Sequence, residues 1–311
     1  MTADLELVEA CDNFPYDADT SAYFKVKLPF DDRIHGYMLP EIVQSMPWTP
    51  EFKIDHIKRV VQLVDCSNGH DTSTACNTAF SEVVTKAIEI DVFKIISGRH
   101  SEPFAIVGAK TPMQVERFAA PLFGFILRGA HMTVYTTESE DMRIWVPRRS
   151  GHLFTYPNML DTTVAGGVAA HESPFENIVH EADEEASLPE ELVRERARPC
   201  GVLTYMTQVG RSETFAESGL VHPDCIYVYD LEVNRSVIPK PRDEEVKEFY
   251  LMTVDEVKVA LRRGEFKPNC ALVMLDFFIR HGIITADNEK NYIEIIMRMH
   301  RRLPFPTAPH R

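Results

Sequence analysis

Positive charge is what this sequence most conspicuously lacks. Thirty-three Lys and Arg face 47 Asp and Glu across 311 residues, a formal net charge of −14. Wrapping nucleic acid or resting on an anionic membrane needs a basic footprint, so neither partner is expected. Long apolar runs are missing too. Residues 118–127 and 270–279, the second broken by Asp276, are the longest nearly apolar stretches. Both fall far short of the roughly 20 residues that span a bilayer. The six cysteines form no C-x-x-C pair and have no histidine at metal-ligand spacing, which reads as reduced thiols rather than a disulfide frame or a zinc site. The N-terminus is acidic and shows no basic address segment, so a soluble, cytoplasmic protein is expected. There is no internal repeat and no low-complexity tract.

What is present is an ordinary globular composition, 44% hydrophobic and 26% charged, with room for two modest domains or one large one. Apolar residues at helical spacing predict helices over 52–64 and 79–96, making the first third mostly helical with a short strand near 104–107. From about residue 118 the pattern changes. Strands are expected over 120–127 and 131–135, paired through a turn at Arg128-Gly129. More follow at 142–147, 159–164, 201–207, 225–231 and 248–252. Helices intervene after Gly166-Gly167 and close the chain, with capping boxes at Ser173–Glu176 and Thr253–Glu256 and stops at Gly264 and Gly282. Strands on both sides of a helix imply a mixed sheet in an α/β layer. The expected division is an α+β accessory segment over 1–117, a main domain over 118–302 and a tail over 303–311.

The stretch 165–188, AGGVAAHESPFENIVHEADEEASL, carries the chemistry. A double glycine turns the backbone, a loop passes Glu172, and a capped helix presents Glu181, Glu184 and Glu185. Positions i, i+3 and i+4 share one helix face, with about 5–6 Å between neighbouring Cβ atoms. From Glu172 to Glu185 there are six acids and no Lys or Arg. Their mutual repulsion lies past the helix N-terminus, where the macrodipole gives no relief. A hard divalent cation with oxygen ligands, Mg²⁺ or Mn²⁺, would reverse it, and would let an acidic protein bind phosphate.

This stretch resembles the Nudix box, G-x5-E-x7-R-E-U-x-E-E-x-G-U. Gly166, Glu172, Glu181, Glu184 and Glu185 match at the required spacing, with His180 in place of the Arg and Ser187 in place of the second Gly. The helix is expected to end before Leu188-Pro189 without a left-handed residue. Further segments, among them Pro121–Gly124, Trp145-Val146, Tyr156–Asp161, Val228–Leu231 and Phe266–Val273, are similar to the thiamine-pyrophosphokinase-related subgroup, which carries an extra N-terminal domain. The resemblance implies a Nudix α/β/α sandwich with a mixed sheet. It also implies Mg²⁺- or Mn²⁺-dependent hydrolysis of thiamine diphosphate and its oxo and oxy analogues to the monophosphate and phosphate. Glu181, Glu184 and Glu185 would hold metal, Glu172 would position the loop, and Glu245, in the acidic run 243–248, or a box glutamate such as Glu184 would serve as base. Gly166, Gly167, Arg148 and Arg149 are the candidate substrate contacts, with Tyr205, Tyr227 and Phe123 available to wall the organic part. A different diphosphate-linked substrate, or a degenerate module that binds without turnover, stays open, as does the oligomeric state.

Overall fold

Helix and sheet share the first third of the chain, which is not mostly helical. The computed structural model describes residues 3–96, 102–138, 141–211 and 214–310. After a short helix α1 (Asp4–Glu9), strands β1 (Phe24–Lys27) and β2 (Gly36–Met38) pair antiparallel, and helix α2 (Pro40–Ser45) follows. Strands β3 (Phe52–Asp55) and β4 (Val60–Leu63) complete a four-stranded sheet in the order β2-β1-β4-β3. The expected helix over 52–64 is thus a hairpin. Asp55 Oδ1 accepts the N–H groups of Ile57 and Lys58, Arg59 takes φ 53°, and β-branched Ile54, Val60 and Val61 fit a pleat better than a helix. The long helix α3 (Thr72–Glu89) covers this sheet, and the small hairpin β5 (Pro103–Ala105) and β6 (Gln114–Glu116) follows it.

The expected strand over 120–127 is also corrected. Ala120–Phe123 forms one helical turn, α4, closed by Gly124 at φ 69°. A Cβ on Gly124 would lie 2.4 Å from the Tyr37 carbonyl oxygen, so only glycine allows this approach. The stretch is apolar because Leu122, Phe123 and Phe125 fill the core under α3. Arg128 and Gly129 therefore lie inside the long strand β7 (Leu127–Thr136) and not in a turn.

A mixed sheet occupies the rest of the chain. Its strands are β7, β8 (Arg143–Arg149), β9 (Val164–Gly167), β10 (Arg198–Gln208), β11 (Val221–Glu232) and β12 (Val246–Thr253), in the order β10-β11-β7-β8-β12, with β9 also on β7. Only β11 and β7 run parallel. Helices α5 (Pro174–Ala186) and α6 (Glu190–Arg196) pack on one face. Helices α7 (Val254–Arg262), α8 (Pro268–Arg280) and α9 (Tyr292–Met299), with α1, cover the other. Gly264 and Gly282 follow α7 and α8, and Thr253 forms its capping box. Among the described residues, no helix is long and apolar enough to cross a membrane, and all six cysteines are free.

One irregularity positions the site. β8 pairs with β7 only at Tyr135↔Ile144 and Thr136↔Arg143, whereas β9 pairs with the β7 residues Gly129–Met132. The sheet therefore forks. The loop between β8 and β9 lies in the fork, and α5 leaves from its β9 side.

Candidate functional site

Helix α5 starts where the sequence signals it. Ser173 Oγ accepts the Glu176 N–H at 3.2 Å, and Pro174 sits in the first turn. The capping box is not reciprocal, because the Glu176 carboxylate is taken by Arg194 of α6 in a two-bond fork of 2.8 and 2.7 Å. Asp183 likewise pairs with Arg242. Cations from distant segments thus neutralise the outward-facing acids. Among the described residues, no ion pair reaches the side chains of Glu181, Glu184 or Glu185.

These three glutamates grade from buried to exposed. Glu185 is 8% exposed and accepts the Ala165 N–H at 2.9 Å through Oε2. Burial, then Glu181 and Asp161, pushes its carboxyl well above the usual range. Glu181 is partly buried, and burial, then Glu184 and Glu245, pushes it up to about 8. Glu184 is exposed. Glu181 lies against the double glycine: a Cβ on Gly166 would come within 2.0 Å of its Oε1. The first box glycine is therefore needed here to make room for a carboxylate. Gly167 is hemmed in from another direction, by Phe104 at 2.7 Å and Arg117 at 3.1 Å from its would-be Cβ.

Glu172 folds back onto the helix. Its Oε1 lies 2.5 Å from His180 Nδ1, and its Oε2 accepts from Asn177 Nδ2 at 3.3 Å. Asn177 also donates to the Gly167 carbonyl at 3.1 Å, tying the loop to the glycines. His180, standing where the box has arginine, thus makes contact with the box's first glutamate. Ser187 departs from expectation. It takes a left-handed conformation, φ 53° and ψ 34°, and its hydroxyl donates to the Lys240 carbonyl at 3.0 Å.

That bond is one of several that moor the 240–245 segment to the end of α5. Lys240 N–H donates to Ala186 O at 2.9 Å and Asp243 N–H to Glu184 O at 3.1 Å. Glu245 is thereby carried into a narrow cleft in the sheet fork, lined also by Arg149, Asp161, Thr162 and Glu185. The two candidate arginines part company here. Arg149 lies in the cleft but is held by Asp161 Oδ2 at 2.9 Å and by the Tyr156 and Thr155 carbonyls at 3.2 Å each. Arg148 turns to the Tyr250 hydroxyl, at 3.2 Å, and the Asn158 carbonyl, at 2.8 Å.

Beyond Arg149 and the 155–156 loop lies a cavity of about 390 Å³. Phe118, Phe154, Tyr156, Tyr205 and Phe215 give it aromatic walls, and Asn13, Asp224, Lys267 and Asn269 are among its polar ones. Of the three aromatics singled out from sequence, only Tyr205 lines it. Phe123 is buried in the first core, and Tyr227 packs on the α5 side of the sheet. Behind the cleft, His131, Asp161 and Cys270 bring ligand atoms within 4.8 Å of one another. Cys270 donates to Asp161 at 2.6 Å, and burial, then the Asp161 charge, keeps it a thiol, so this group serves as a buried polar tie between β7, the loop and α8.

The sequence did not flag Asn177, Asp161 or Arg117. Asn177 had a readable signal, one turn before Glu181 on the same helix face. Asp161 closes the segment Tyr156–Asp161 but nothing there marked it as a site residue, and Arg117 had no signal, because Gly167, which it lies against, is 50 positions away.

Residues 127–270 match the NUDIX domain model. The chain is 34% identical over 319 residues to protein YJR142W of Saccharomyces cerevisiae, covering 97% of this chain and 92% of that protein. It is 32% identical to Nudix hydrolase 20 of Arabidopsis thaliana, covering 67% of this chain and 54% of that protein, so it spans about half the length of this plant relative. Among solved structures, DR0079 from Deinococcus radiodurans is similar at 20% identity and a TM-score of 0.35, covering 47% of this chain and 80% of that one.

Proposed function

This chain belongs to the Nudix family of hydrolases acting on diphosphate bonds, and from that premise we propose that it cleaves thiamine diphosphate and its oxo and oxy analogues to the monophosphate and phosphate. The observation that carries this reading is the contrast along α5. Arginines are recruited to Glu176 and Asp183, while Glu181, Glu184 and Glu185 have no ion-pair partner among the described residues, and Glu181 and Glu185 are also desolvated. Carboxylates in that condition cost stability unless a cation shares them. Their all-oxygen donor set, beside a glycine that a side chain would block, fits a hard divalent ion.

Glu181, Glu184 and Glu185 would hold Mg²⁺ or Mn²⁺, which when bound supplies Lewis-acid activation and neutralises the diphosphate charge. The remaining work falls to the chain's own groups. His180 and Asn177 fix Glu172, which fixes the loop beneath the glycines. Glu245, at the mouth of the cleft, accepts the proton of the water that attacks phosphorus. The P–O bond to the leaving phosphate then breaks in line with the attack. Arg149 is a positioning residue: it holds Asp161 and the 155–156 loop, the wall shared by cleft and cavity. The cavity has the size and aromatic lining for a flat heteroaromatic group.

The test is a panel of thiamine diphosphate, its oxidised analogues, a nucleotide sugar and a dinucleoside polyphosphate, read by phosphate release with Mg²⁺ and with Mn²⁺. Thiamine compounds should turn over fastest. Glu184→Gln should lower kcat about 100-fold or more, in the range seen when one charge-stabilising group is removed. Undiminished cation-dependent hydrolysis by Glu184→Gln would refute the assignment.

A further inference from the structure

The acidic cleft must receive an anion, yet the two arginines nearest it in sequence, Arg148 and Arg149, are already committed to protein partners. We propose that Arg117, contributed by the segment ahead of the NUDIX match, is the residue that grips the substrate's diphosphate, with Glu102 holding its guanidinium ready. The proposal rests on the site being a diphosphate hydrolase.

Position is the first argument. The Arg117 guanidinium carbon lies 3.1 Å from where a Cβ on Gly167 would be, so the side chain lies directly against Gly167, the strand neighbour of the glycine that makes room for Glu181. Its charge is close enough to Glu181 to favour the ionised carboxylate. Preorganisation is the second. Nη1 donates to Glu102 Oε1 at 2.8 Å, and the guanidinium sits 5.6 Å from the ring centres of both Phe104 and Phe118. A planar fork held in this way loses little freedom when it binds a phosphate with two donors.

Availability is the third. The side chain is 42% exposed, and among the described residues its remaining guanidinium nitrogens make no hydrogen bond. A half-exposed ion pair is itself a weak interaction, so exchanging Glu102 for a phosphate costs little. The mounting is also shared with the box loop: Ala170 N–H donates to the Pro103 carbonyl at 2.7 Å, joining the Glu102–Ala105 segment to the loop that carries Glu172. Phe118, next in the chain, lines the cavity. One short segment thus reaches both the diphosphate and the organic ends of the site.

The experiment titrates the full chain with methylene diphosphonate in Mg²⁺ by calorimetry, beside steady-state kinetics on the best substrate of the panel. Arg117→Ala should weaken diphosphonate binding about tenfold and raise KM to match, with a smaller change in kcat, the scale of one lost charge-assisted hydrogen-bonding group. Arg117→Gln, which keeps length and a polar end beside Phe104, should lose as much, Arg117→Lys less. Glu102→Gln should bind at least as tightly as the native chain. Affinity within twofold of native for Arg117→Gln overturns the proposal, as does its loss in Glu102→Gln. Because the titration needs no turnover, it decides for Arg117 even if no panel member is hydrolysed, a result that would refute the hydrolase reading alone.

Discussion

At the scale of single residues, the site is defined by which carboxylates are left without a partner. Glu181 is the most informative. Burial and its acidic neighbours raise its folded-state value to about 8 from an ordinary 4.5. Between those values the native protein keeps a proton that the unfolded chain has lost. Stability therefore falls as pH rises through that window, by up to about 1.4 kcal/mol per pH unit for one proton. His131, held neutral by burial and lowered to about 3, acts in the opposite sense below pH 6.5, so the native profile alone is ambiguous. The difference between native chain and Glu181→Gln isolates the glutamate. In EDTA, the thermal midpoint of Glu181→Gln should gain on the native one from pH 5 to about pH 8 and level off above it. A constant difference across that range would show that Glu181 is not desolvated. Adding Mg²⁺ should stabilise the native chain at pH 8 more than the variant.

At the scale of elements, the end of α5 shows where local reasoning stops. The helix, its start and the shared face of Glu181, Glu184 and Glu185 follow from spacing and capping, and they form as read. Ser187 does not. Local preference disfavours a left-handed serine by roughly 1–2 kcal/mol, yet the hydroxyl in that conformation reaches Lys240 O and helps fix the segment that delivers Glu245. Ser187→Ala keeps the strain and loses the bond, so it should cost about 1 kcal/mol by denaturant titration and lower kcat several-fold. Ser187→Gly relieves the strain and should cost less stability than Ser187→Ala while sharing its loss of kcat. Equal kcat in all three proteins would dissociate this mooring from catalysis. The hairpin at 52–63 and the turn at 120–123 teach the same lesson. The spacing of Ile54, Val60 and Val61 fits either a helical or a pleated pattern over so short a run; their branching and the Asp55 turn favour the pleat, and pairing with β1 completes the sheet.

At the scale of the whole molecule, the two halves recognised by pattern are not separable in their packing. The core beneath α3 includes Phe123, Phe125, Val209 and Leu220 from beyond residue 117. Arg301 binds Asp12 at 2.9 Å, and Arg33 donates to the carbonyls of Ala308 and Pro309 at 2.9 Å each, so the chain's tail is strapped to its beginning. We propose that the division at 117/118 separates two units of architecture within one unit of stability. A chain of residues 118–311 should lose its cooperative thermal transition, because it bares aromatic side chains now 0–1% exposed. A sharp transition in that fragment, measured by calorimetry, would show two independent units.

By itself, the sequence determined the mixed α/β character of the main domain, read over 118–302, the box helix with its capped start, the spacing of Gly166, Glu172, Glu181, Glu184 and Glu185, and the acidity from which a cation is expected. All of these are local, since periodicity, capping and spacing act within a few residues. Only the tertiary structure decided that Glu245 enters the cleft, that Arg149 is spent on Asp161 while Arg148 turns away, and that Tyr205 but not Tyr227 faces the cavity. It likewise placed Arg117 beside Gly167. Those outcomes depend on the sheet fork and on contacts between residues from 12 positions apart, as in Arg149–Asp161, to 102 apart, as in Arg148–Tyr250, which no local preference encodes.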